Sequence, residues 1–128
     1  MKSINHIAIY TSNFDELVKF YKDYFFAIQD SEYYNPNTKL KTCFLKFDGQ
    51  TRLEIMTRPE LDERKGGRYV KGITHLAFSV GSEAEVDSLT ADLFKAGCQI
   101  ISPPRVTGDG YYESCIADPD GNEVEITK

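Results

Sequence analysis

A chain of 128 residues with 41% apolar and 27% charged side chains is long enough for one domain with a modest core, and ordinary in composition for a globular protein. Its net charge of −5 argues against nucleic acid as a partner, because neutralising phosphates takes a basic face. No run approaches the roughly 18 apolar residues of a membrane span, and Met1-Lys2-Ser3 leads straight into a strand-like segment, so neither membrane nor signal peptide is expected and a cytoplasmic location is.

In chain order, the first strand is expected at Ile4-Asn5-His6-Ile7-Ala8-Ile9-Tyr10. A helix follows, opened by Asn13 and Glu16 at capping-box spacing, with Phe14, Leu17, Val18, Tyr21 and Phe25 at helical period. Strands are then expected over residues 40–47 and at Leu53-Glu54-Ile55-Met56, joined by an Asp48-Gly49 turn. Residues 57–72, rich in charge and glycine, read as a linker. Within it Arg64, Lys65, Arg68 and Lys71 form the densest basic stretch, able to hold an anionic group but more simply read as a solvated loop.

The second half repeats the first. Ile73-Thr74-His75-Leu76-Ala77-Phe78-Ser79 matches the opening strand at an offset of 69. Ser82 and Glu85 then open a helix whose stripe is Val86, Leu89, Leu93 and Phe94, ended by Gly97. Residues 111–117, the turn Asp118-Pro119-Asp120-Gly121 and Val124-Glu125-Ile126-Thr127 complete it, while Pro103-Pro104 reads as a loop or the start of a strand. The expected architecture is α+β: one domain, residues 1–128, built from a module at 1–60 and a second at 70–128. Cys43, Cys98 and Cys115, an odd and scattered set, read as reduced thiols.

The chain has only two histidines, and the repeat gives them the same place. Successive strand residues face opposite ways, so Ile7 and Ile9 turn to the helix side while His6, Ala8 and Tyr10 turn away. Leu76 and Phe78 stand against His75, Ala77 and Ser79 in the same manner. Glu54, between Leu53 and Ile55, and Glu125, between Val124 and Ile126, obey the same rule. A histidine alone on a strand is ordinarily a hydrogen-bonded bystander, and a lone glutamate ordinarily faces solvent. Two of each at duplicated positions point instead to a divalent first-row metal held by His6, Glu54, His75 and Glu125, with water completing its shell.

At these residues the chain resembles the vicinal oxygen chelate (glyoxalase/bleomycin resistance/dioxygenase) superfamily, and within it glyoxalase I. The motifs are His6-Ile7-Ala8-Ile9 with Phe20-Tyr21, Leu53-Glu54-Ile55, Gly72 through Val80, and Asp118-Pro119-Asp120-Gly121-Asn122-Glu123-Val124-Glu125. The resemblance implies two βαβββ modules forming a U-shaped mixed sheet, commonly completed as a homodimer. It also implies a ligand order His, Glu, His, Glu that falls on His6, Glu54, His75 and Glu125. The activity implied is isomerisation of the hemithioacetal of a 2-oxoaldehyde such as methylglyoxal with a small thiol, with Glu125, or else Glu54, moving the proton. Ligand type admits Ni²⁺, Zn²⁺, Co²⁺ or Mn²⁺, and the short chain is more similar to the nickel-activated kind. The sequence departs from glyoxalase I at two places: Tyr10 stands where glyoxalase I has an arginine for the thiol's carboxylate, and Arg58 stands where it has an asparagine. Two other readings stay open, a different metal-dependent enzyme (an epimerase or thiol transferase), and a non-catalytic binding protein with Tyr33, Tyr34, Tyr111 and Tyr112 lining a cavity.

Overall fold

The computed structural model describes all residues, Met1–Lys128. The chain divides into two compact units, Met1–Arg64 and Lys65–Lys128. In the first, strand β1 (His6–Tyr10) leads to helix α1 (Phe14–Phe25), then to the short β2 (Ile28–Gln29) and β3 (Tyr33–Tyr34), and finally to β4 (Lys41–Lys46) and β5 (Arg52–Thr57). The sheet order is β1-β5-β4-β2, with β3 also on β4; β1 runs parallel to β5 and the other pairs are antiparallel. The second unit repeats the plan with β6 (His75–Ser79), α2 (Glu83–Lys95), β7 (Ile100–Val106), β8 (Tyr112–Ala117) and β9 (Glu123–Thr127), in the order β6-β9-β8-β7. The second unit is therefore the expected βαβββ module, and the first is the same module with its second strand broken into two short pieces, β2 and β3, that both pair with β4. No helix is long and apolar enough to cross a membrane.

Each helix covers one face of its own sheet. Helix α1 buries Phe14, Leu17, Val18 and Tyr21, the i, i+3, i+4, i+7 set that an amphipathic helix presents to a core, and Phe20 beside them. Beneath it Leu45, Leu53 and Ile55 are closed off from solvent. In the second unit Val86 and Leu93 meet Ile116, Val124 and Ile126, all fully buried.

Several local expectations are corrected. Ser82 caps α2 by accepting from the Glu85 N–H at 3.2 Å, but the Asn13 side chain makes no such bond; the Asn13 N–H instead donates to Thr11 Oγ1 at 2.8 Å. Helix α1 ends on Phe26 in the left-handed region (φ 55°), at the place where α2 is followed by Gly97 (φ 88°), the residue type that takes this conformation without steric cost. Phe94, placed in the core stripe by its spacing, is 69% exposed, and Thr90 takes the inward position. Thr90 is tolerated there because its hydroxyl donates to the Val86 carbonyl at 2.6 Å and lies 2.7 Å from Ser114 Oγ. Pro103-Pro104 lies within β7, not before it. That strand pairs only with β8 and its register shifts on either side of Ser102, so an edge strand with a bulge absorbs two residues that cannot donate.

The cysteines are free thiols. Burial pushes Cys43 and Cys115 up to about 11, so both stay protonated and inert at neutral pH.

Candidate metal centre

The parallel β1–β5 pairing sets Ala8 opposite Glu54 and His6 opposite Arg52. The β6–β9 pairing reproduces it, with Ala77 opposite Glu125 and His75 opposite Glu123. Histidine and glutamate thus lie diagonally on adjacent strands, on the sheet face away from the helix. The alanine opposite each glutamate leaves the ring room to reach across. His6 Nε2 is 3.5 Å from Glu54 Oε2, and His75 Nε2 is 3.2 Å from Glu125 Oε2.

Local sequence fixes these positions. The buried Asp118 carboxylate accepts from the backbone N–H groups of Asp120 and Asn122 and from Asn122 Nδ2, all at 2.9 Å. Gly121 (φ 82°) closes the turn by donating to the Asp118 carbonyl at 2.9 Å. This clamp sets the register of β8 on β9, with Cys115 opposite Glu125. In the first unit Asp48-Gly49 (φ 102°) turns β4 into β5, with Phe44 opposite Glu54.

Of the four expected ligands, the structure brings His6 to Glu54 and His75 to Glu125, each pair within its own unit. Within either unit no third histidine, cysteine or carboxylate completes a metal-holding cluster. All four side chains are partly exposed, with the histidines at 41% and 38% and the glutamates at 16% and 23%, so each pair opens to solvent and offers imidazole nitrogen and carboxylate oxygen together. Such a mixed donor set suits a divalent first-row ion.

The surroundings of the two pairs differ. Beside His6, the Arg52 guanidinium lies 4.2 Å from the Phe44 ring centre, and Phe44 meets the His6 ring edge-on at 5.4 Å. The corresponding places beside His75 hold Glu123 and Cys115. Glu123 is paired with Arg68 Nε at 2.7 Å, so this member of the basic loop is occupied by a carboxylate of its own unit. Glu113, on the same face as Cys115 and Glu125, went unnoticed in the sequence. Burial first, and then the neighbouring Glu125 carboxylate, hold its carboxyl above the usual range. Alternation along β8 marks its face, but only the β8–β9 register shows that it lies next to Glu125. Tyr112 is on the opposite face and donates from its hydroxyl to Asp87 on α2, so it lines no cavity with the site. Tyr33, Tyr34 and Tyr111 are exposed.

A model of the Glyoxalase/Bleomycin resistance protein/Dioxygenase superfamily matches residues 3–126. The Bacillus subtilis (strain 168) protein YwkD is 30% identical over 130 residues, covering 98% of this chain and 96% of its own. Among solved structures, a glyoxalase family protein from Enterococcus faecalis superposes with a TM-score of 0.80 at 29% identity, covering 99% of this chain and 98% of that one. The trypanothione-dependent glyoxalase I of Leishmania major shares the fold with a TM-score of 0.77 at 22% identity, covering 100% of this chain and 87% of that one.

Proposed function

The chain belongs to the glyoxalase/bleomycin resistance/dioxygenase superfamily, and we propose that it is a metal-dependent lyase of the glyoxalase I kind, converting the hemithioacetal of a 2-oxoaldehyde and a small thiol into a 2-hydroxyacyl thioester. The observation that carries this reading is the duplicated pairing of a histidine Nε2 with a glutamate Oε2, at 3.5 and 3.2 Å, on equivalent strands of two equivalent units. His6, Glu54, His75 and Glu125 would together hold one divalent ion, Ni²⁺ or Zn²⁺ before Co²⁺ or Mn²⁺. Such an ion supplies Lewis acidity, drawing electron density from the adjacent carbonyl and hydroxyl oxygens of the substrate.

The residues then have distinct tasks. Glu125 takes the proton from the carbon that bears sulfur and hydroxyl and returns it to the neighbouring carbonyl carbon, while the hydroxyl proton passes between the two oxygens. No bond to sulfur breaks, and the product is an isomer of the adduct. Glu54 stands ready for the opposite face. Ala8 and Ala77, exposed beside the pairs, leave space for the adduct's small carbon skeleton. Tyr10 in place of an arginine leaves the thiol half without that cation, so the thiol is read from a panel and not from the family.

The test is formation of lactoyl thioester from methylglyoxal with a panel of thiols and with Ni²⁺, Zn²⁺, Co²⁺ and Mn²⁺. Turnover with at least one combination is expected. Metal uptake without turnover on any of them would sink the lyase reading while leaving the metal centre. Assembly as a homodimer belongs to the same proposal, because β1 and β6 each pair on one side only and open strand edges favour association of like chains. Sedimentation at micromolar concentration should give twice the chain mass of 14.5 kDa; a monomer with metal bound would contradict it.

A further inference from the structure

We infer that Asn5, clamped by Arg52, is a positioning residue that locks the His6 ring with its proton on Nδ1 and thereby turns a bare Nε2 toward Glu54. Asn5 Oδ1 is 2.8 Å from His6 Nδ1 and 2.7 Å from Arg52 Nη2. A side-chain amide taken alone can be turned either way, with oxygen and nitrogen exchanged. Here its orientation is forced: guanidinium nitrogens only donate, so the amide atom facing Arg52 is the carbonyl oxygen. That oxygen cannot donate to the imidazole. The contact with Nδ1 therefore requires a proton on Nδ1, and in the neutral ring Nε2 is left as an acceptor.

The clamp is itself held. The Arg52 backbone N–H donates to the Asn5 carbonyl at 3.1 Å, and its guanidinium stacks over Phe44, which also meets the His6 ring edge-on. Three side chains, Asn5, Arg52 and Phe44, interlock around one imidazole. Their result is two acceptors, Nε2 and the Glu54 carboxylate, facing each other at 3.5 Å, an arrangement that favours a cation between them. The second unit lacks this device. Thr74 Oγ1, 2.8 Å from His75 Nδ1, can donate as readily as accept, and Glu123 replaces the clamping arginine. Only His6 is fixed by its neighbour in sequence.

The consequence for metal affinity rests on the function proposed above, whereas the tautomer does not. Long-range ¹H–¹⁵N spectra of the metal-free protein, above the ordinary histidine pKa of about 6.5, report the tautomer directly. His6 should show the Nδ1–H form. Asn5→Ala should move it to the Nε2–H form, now donating to Glu54, while Asn5→Asp, which still accepts from both partners, should keep Nδ1–H. Titrated with Ni²⁺ alone, Asn5→Ala should bind about 10- to 100-fold more weakly, the usual cost of losing a residue that orients a ligand, with Asn5→Asp close to the parent. An Nε2–H form in the parent protein, or an unchanged tautomer in a folded Asn5→Ala chain, would overturn the inference. If the tautomer responds as stated but the parent takes up no Ni²⁺, the positioning role stands and the metal centre is what fails.

Discussion

Glu125→Gln should lower the turnover number by about 10² or more with metal kept saturating, the usual worth of a positioned base. Glutamine keeps the shape and one oxygen donor but loses the charge and the capacity to accept a proton. Three proposed ligands remain, His6, Glu54 and His75, so affinity for the ion should weaken by about 10- to 100-fold without being abolished. The Michaelis constant should change less than the turnover number, because in the proposed reaction Glu125 acts at the reacting carbons and contacts on the thiol half are untouched. Near-normal turnover in the saturated variant would show that the proton travels elsewhere. Glu54→Gln and the double variant would then decide between the two carboxylates.

The second large effect is on stability. Ile55 is fully buried, standing between Ile9 on β1 and Cys43 on β4, on the strand that carries Glu54 and packs under α1. Ile55→Ala removes three buried carbons and should cost about 2–5 kcal/mol, a large part of the roughly 5–15 kcal/mol that holds a small domain together. Ile126, equally buried and flanking Glu125 on β9, is its counterpart, and Ile126→Ala should cost a similar amount. Urea midpoints at unchanged slope read both values. A loss below about 1 kcal/mol in either variant would mean that the helix–sheet seam is not where that unit's stability lies.

Much of this fold was legible because the sequence says it twice. One histidine on a strand carries little information, but His6 and His75 followed by Glu54 and Glu125 at matched distances define both a module and a shared sheet face. Alternation then separated Leu53 and Ile55 from Glu54 correctly, since a strand's period of two leaves no freedom once one face is buried. What escaped depends on contacts between strands or on satisfaction of polar groups. Thr90 is buried because Val86 and Ser114 satisfy its hydroxyl, which no local pattern announces, and this leaves Phe94, one residue beyond Leu93, outside. Glu113 and the Asn5–Arg52 clamp emerge only when cross-strand register is known. The two-residue strands β2 and β3 are too short to show a period at all.

The central claim, that both histidine–glutamate pairs serve one ion, is tested most directly by titrating the metal-free chain with Ni²⁺ and counting bound ions. The parent protein should take up about one ion per chain, and His6→Ala and His75→Ala should each lose it, because a four-ligand centre deprived of an imidazole is weakened whichever unit supplied it. Full and tight binding in His75→Ala would contradict the account.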